Sequence, residues 1–126
     1  MRLLLDSNVV LWWLDGSSRL ADGAAEAIAA DENDALVSVV TPWELTIKRS
    51  IGKLVLDGDL RAHIADQEFD ELPVVGSHAV ALGALPLHHR DPFDRMLVVQ
   101  AQQEQLTVVT ADARIAAYDV PVLPAG

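Results

Sequence analysis

Apolar positions along this chain switch repeatedly between a strand-like and a helix-like period. Residues 2–5 end in three leucines and stop at Asp6, the pattern of a short buried strand. Residues 8–14 then read as a helix ending near Gly16, and the Ala-rich stretch 19–30 as a second helix. Residues 35–40 are β-branched and predict a strand. Thr41-Pro42-Trp43-Glu44 has the composition of a helix start, with Ser50 near the end and Gly52 as the stop. A helix follows over 59–69, a short strand over 71–75, a short helix over 77–85 and a loop over 86–90. Asp91-Pro92-Phe93-Asp94 opens another helix, in which Phe93, Met96, Leu97 and Ala101 keep helical spacing. Residues 106–109 predict a strand, 111–117 a short helix and 120–123 a last strand.

Strands alternating with helices at this spacing predict an α/β fold with a mostly parallel sheet covered on both faces. The 126 residues show neither repeat nor linker, so a single domain over 1–126 is expected. No apolar run is long enough to span a bilayer, and the start of the chain lacks the continuous apolar region of a signal peptide. Without cysteine there can be no disulfide and no thiolate metal site, which fits the cytoplasm. The formal charge of −10 speaks against a simple nucleic-acid binder. It leaves room for phosphate chemistry at an acidic site, because bound cations can recruit phosphates there. The few basic residues are also grouped: Lys48, Arg49 and Lys53 in one place, Arg90 and Arg95 in another.

Asp6, Glu44, Asp94 and Asp112 all fall where a strand ends or a helix begins. In a parallel sheet the strand ends and returning helix starts share one edge, where ligands bind. Each acid also has a local explanation. Thr41 to Glu44 spells a capping box, Asp91 suits the cap before Pro92, Thr110 could cap the last helix, and Ser7 or Asp6 the first. Capping does not require four acids on one edge. Packed carboxylates repel and raise one another's pKa unless a cation separates them. An all-oxygen set with no histidine or cysteine partner favours Mg²⁺ or Mn²⁺ over zinc. Metal-assisted hydrolysis of a phosphoester is the chemistry such a site predicts.

The segments LLLDSNVVLWWL, TPWELTIK, DPFDRMLVVQA and VVTADARI resemble, in order and spacing, those of PIN domains, and most closely VapC-type ribonuclease toxins. The resemblance implies a three-layer α/β/α sandwich and a Mg²⁺- or Mn²⁺-dependent endoribonuclease. Its acidic positions fall on Asp6, Glu44, Asp94 and Asp112, and its small polar position on Thr110. It also implies RNA as substrate, a homodimer, and an antitoxin lying in an apolar groove near the acids, with Trp12 or Trp13 as lining. Asn8 departs mildly from the pattern and its role stays open. The same Asn8 removes a haloacid-dehalogenase reading, which needs a second Asp there, and no late lysine supports a receiver domain. Arg90, Arg95 and Lys48 are candidates for RNA phosphates, with ion pairing to Asp91 or Asp94 as the other use of the arginines. Two further expectations compete: a non-catalytic acidic module that only binds a protein partner, and a nuclease acting on DNA or structured nucleic acid.

Overall fold

A computed structural model describes residues 1–126. Five strands, β1 (Arg2–Leu5), β2 (Asp34–Ser38), β3 (Asp70–Leu72), β4 (Thr107–Thr110) and β5 (Val122–Pro124), form one sheet in the order β3-β2-β1-β4-β5, every pair parallel. Seven helices connect them: α1 (Ser7–Asp15), α2 (Asp22–Ala29), α3 (Val40–Ser50), α4 (Leu60–Asp66), α5 (Gly76–Ala81), α6 (Pro92–Glu104) and α7 (Ala113–Ala116). No helix is long and apolar enough to cross a membrane.

The leucine run of β1 follows from burial on both faces. Leu3 and Leu5, with Val37 and Val109, pack against Val9 and Val10 of α1, Ala24 and Ile28 of α2, and Ile64 of α4. Leu4, Leu36, Leu72 and Val108 point the other way, onto Leu97, Val98 and Ala101 of α6 and Ile115 of α7. Two cores separated by one sheet make the expected three-layer α/β/α sandwich. Truncating a leucine such as Leu4, fully buried in the central strand, would cost about 2–5 kcal/mol. The α3 helix contacts α1 on one side and α6 on the other, so it bridges the layers.

The strand order reverses between β1 and β4, since β1 leads to β2 on one side and the later strands build on the other. That reversal opens a crevice at the carboxyl edge, beyond Leu5 and Thr110.

Element boundaries depart from the predicted ones where a nearby group competes for the backbone. β2 stops at Ser38, whose Oγ accepts the Val40 N–H at 3.1 Å, and α3 begins at Val40, ahead of the predicted first helical residue Pro42. The second helix starts at Asp22 rather than at residue 19. The α5 helix ends at Ala81, and residues 82–84 tighten into a 3₁₀ turn. Gly16 closes α1 in the left-handed region (φ 61°), as its place at the predicted stop requires.

Candidate active site

Asp6 leaves β1 directly into the crevice. Its own N–H donates to the Val109 carbonyl of β4 at 3.2 Å, which keeps β1 and β4 together one residue past the sheet. The carboxylate caps α1 by accepting the Val9 N–H on Oδ1 at 2.9 Å. Oδ2 accepts the Thr110 hydroxyl at 2.5 Å. Thr110 Oγ1 in turn accepts the Asp112 N–H at 3.0 Å, so one threonine at the end of β4 fixes two acids. Asp112 caps α7 through the Arg114 N–H at 2.9 Å, and the Arg114 guanidinium lies along both of its oxygens.

Glu44 arrives from α3. Because that helix begins at Val40, Glu44 sits in its second turn and the expected capping box does not form. Thr41, the expected cap, is buried with its hydroxyl unpartnered. The Glu44 side chain is turned inward instead, with the residue only 6% exposed. Oε1 accepts the Ser7 hydroxyl at 3.0 Å, and Oε2 lies 2.8 Å from the Lys48 ammonium.

Asp94 comes from the first turn of α6. Asp91 is the cap, accepting the Phe93 and Asp94 N–H groups at 2.8 and 3.1 Å, with Pro92 in the first turn. That frees the Asp94 carboxylate to face the crevice, where Oδ2 meets His89 Nε2 at 2.8 Å. His89, Asp94 and Asp112 each bring a ligand-type atom within 4.8 Å of the others. An all-oxygen cluster was expected from the sequence; the structure adds this histidine.

The charges around these groups read as one field. Burial pushes the Asp6 carboxyl above its ordinary value, the Thr110 and Val9 hydrogen bonds pull it back, and the Asp112 and Glu44 charges raise it again. Asp94 is pushed up to about 6, first by burial and then by the Asp91 charge; the His89 hydrogen bond opposes this and Glu44 adds to it. At Asp112 burial acts upward, but the Arg114 hydrogen bonds and charge outweigh it and the carboxyl lies below its ordinary value. Asp6 thus lies in the field of Asp112 and Glu44, and Asp94 in that of Glu44.

The remaining candidates divide. Asn8 is exposed on the first turn of α1, and Arg90 is exposed beside His89. Lys48 belongs to the site through Glu44. Arg95 has a different use from the one expected. Its guanidinium donates to the carbonyls of Leu82, Leu85, Pro86 and His89 and to the Tyr118 hydroxyl, at 2.9–3.5 Å. It holds the 82–89 loop in place and pairs with neither Asp91 nor Asp94. Arg49 likewise donates to the Leu56 and Gly58 carbonyls.

An apolar groove of about 440 Å³ lies between α3 and α6. Its walls include Val39, Trp43, Val74, Phe93 and Met96, and Trp43 stacks edge-on against Phe93 at 4.9 Å while 61% exposed. Trp12 and Trp13, the lining expected from the sequence, border a second groove of about 480 Å³ with Leu20, Ala25 and Gln67. Trp13 donates to Gln67 and packs on Phe69, and Arg19 lies over Trp12.

The family model of the PIN domain matches residues 3–121. No curated protein matches the sequence. Among solved structures, VapBC2 from Rickettsia felis, bound to a DNA fragment from its promoter, contains a similar chain at 13% identity and a TM-score of 0.72, with 100% of each chain covered. A toxin–antitoxin complex from Klebsiella pneumoniae gives 19% identity and a TM-score of 0.67, covering 96% of this chain and 95% of that one. VapBC-5 of Mycobacterium tuberculosis, a member of the VapBC family of toxin–antitoxin systems, gives 23% and 0.59, covering 98% and 96%. At these identities the similarity is one of fold.

Proposed function

Because the chain belongs to the PIN domain family, we propose that it is a divalent-metal-dependent endoribonuclease and the toxin of a toxin–antitoxin pair. One arrangement supports the reading: Thr110 ties Asp6 to Asp112 at the edge where the strand order reverses, carboxylate oxygens of Asp112 and Asp94 lie within 4.8 Å of each other, and Glu44 raises the pKa of both Asp6 and Asp94. Carboxylates pressed together this way lack a positive counterpart equal to their number, since Lys48 and Arg114 reach only Glu44 and Asp112.

The donor set fits Mg²⁺ or Mn²⁺, which prefer carboxylate oxygens. Asp6, Glu44, Asp94 and Asp112 would hold the ion. When bound, such an ion polarises a phosphodiester and makes water a competent nucleophile at neutral pH. The protein's own groups do the positioning. Thr110 fixes the Asp6 carboxylate and, through the Asp112 N–H, the start of α7. Ser7 and Lys48 hold Glu44 by separate oxygens, and Asp91 frees Asp94 by taking over the cap. Arg90 stands exposed at the rim, where a guanidinium suits a backbone phosphate, and supports entry of RNA from that side.

The groove along Trp43 and Phe93 supports a protein partner beside the same site. Trp43 and Phe93 directly precede Glu44 and Asp94 in the chain, so the groove is carried by the same two helices as these acids. A homodimer is part of the same reading and is checked by light scattering.

Inducible expression of the wild-type and Asp94→Asn proteins, with growth recorded and RNA 5′ ends sequenced, tests the proposal. Growth arrest and new 5′ ends from the wild type alone are expected. Identical RNA from the two cultures would overturn the assignment.

A further inference from the structure

His89 is the one nitrogen donor inside the acid cluster, and the loop that carries it is unusually well held. Its backbone N–H donates to the Tyr118 hydroxyl at 2.9 Å, and its carbonyl accepts from the same hydroxyl at 3.3 Å and from Arg95 at 3.4 Å. Tyr118 is itself buried against the α6 face of the sheet. Arg95 gathers the carbonyls of Leu82, Leu85 and Pro86 upstream. A planar guanidinium bound to several carbonyls fixes a loop far more tightly than a single hydrogen bond would. The ring this loop delivers has a side chain only 8% exposed and faces two carboxylates of different elements.

A histidine merely filling space beside Asp94 would not need its nitrogen within 4.8 Å of Asp112 as well. We propose that His89 is a ligand of the metal ion, so that His89, Asp94 and Asp112 supply a mixed nitrogen and oxygen set. This rests on the metal centre put forward above and deepens it. Without an ion the Nε2–H donates to the Asp94 oxygen at 2.8 Å; moving the ring proton to Nδ1 would free the Nε2 lone pair for the ion. An imidazole donor shifts preference from Mg²⁺ toward Mn²⁺, because imidazole suits transition ions better than it suits Mg²⁺.

Pulsed electron paramagnetic resonance on the full chain loaded with Mn²⁺ reads the donor directly. The wild type is expected to show modulation from a coordinated ¹⁴N, and His89→Gln to lose it. Gln keeps an N–H donor near Asp94, so a role limited to orienting Asp94 would survive this substitution. Circular dichroism melting of His89→Gln establishes that the variant is folded, and the wild-type spectrum stands as the second readout whatever that variant does. A Mn²⁺ ion bound by the wild type without nitrogen modulation would overturn the ligand role while leaving the metal centre intact. No Mn²⁺ bound by the wild type would overturn both. Nitrogen modulation in a protein that leaves RNA uncut would support the ligand role and sink the ribonuclease reading instead.

Discussion

Replacing Asp94 by Asn should make the metal-free protein more stable at neutral pH while removing its activity. Burial and the Asp91 charge hold the Asp94 carboxyl at about 6, against an ordinary value of 3.8. The folded chain therefore binds this proton more tightly than the unfolded chain does. As pH rises through the window between those two values, the unfolded state loses its proton first, and folding stability falls. The deficit is complete above about pH 7 and amounts to at most about 3 kcal/mol. The Asp94 side chain retains some solvent contact, so about 1–3 kcal/mol is the expected gain in Asp94→Asn. Asn can still accept from His89, so the local packing is retained. For a chain of this length each kcal/mol moves the melting temperature by about 4 °C. Thermal melts in chelator at pH 7.5 should place the variant above the wild type, with the difference closing near pH 4. A variant less stable at pH 7.5, or a gap that does not change with pH, would refute the electrostatic account of the site.

Thr110→Val removes the bond that lowers the Asp6 pKa, so stabilisation by Mn²⁺ should require a higher pH than in the wild type, with about 1–2 kcal/mol of stability lost. Melts with and without Mn²⁺ over a series of pH values check this. Lys48→Met leaves Glu44 without its cation, and the melting shift given by Mn²⁺ should grow relative to the wild type; an unchanged shift would remove Glu44 from the field of the ion. Arg95→Met strips partners from several loop carbonyls and should cost about 2–4 kcal/mol in urea unfolding. The same variant should bind Mn²⁺ more weakly, because His89 would no longer be held toward Asp94.

Much of the site could be read in the chain because strand ends and helix starts announce themselves locally. Asp6 after three leucines and Asp94 after Asp91-Pro92 carry their positions in their neighbours. The sequence places Glu44 in a first helical turn, and the structure places it in the second. Thr41 and Pro42 spell a cap, but Ser38 captures the Val40 N–H first, and the helix starts before Thr41 can act. Glu44 is therefore held by Ser7 and Lys48 rather than by the helix end. In the sequence His88 and His89 read as loop residues able to touch RNA or nothing, with no second ligand to mark a metal donor. Tertiary contacts place His89, since Tyr118 is 29 positions away and Arg95 reaches back across the loop. The signal was present only as a His-His pair before Arg90-Asp91, which by itself reads as an ordinary loop. Trp43 lines the groove between α3 and α6, while Trp12 and Trp13 line a separate one, and tertiary contacts set both. The indole of Trp13 finds Gln67 54 positions away, a pairing no local pattern encodes.

The central claim is that these acids meet around a divalent cation, and an anomalous difference map from crystals soaked in Mn²⁺ tests it most directly. A peak enclosed by Asp6, Asp94 and Asp112, absent in crystals of Asp94→Asn, is the expected result. A crevice without a peak, or manganese bound only at other acids of the surface, would contradict the account.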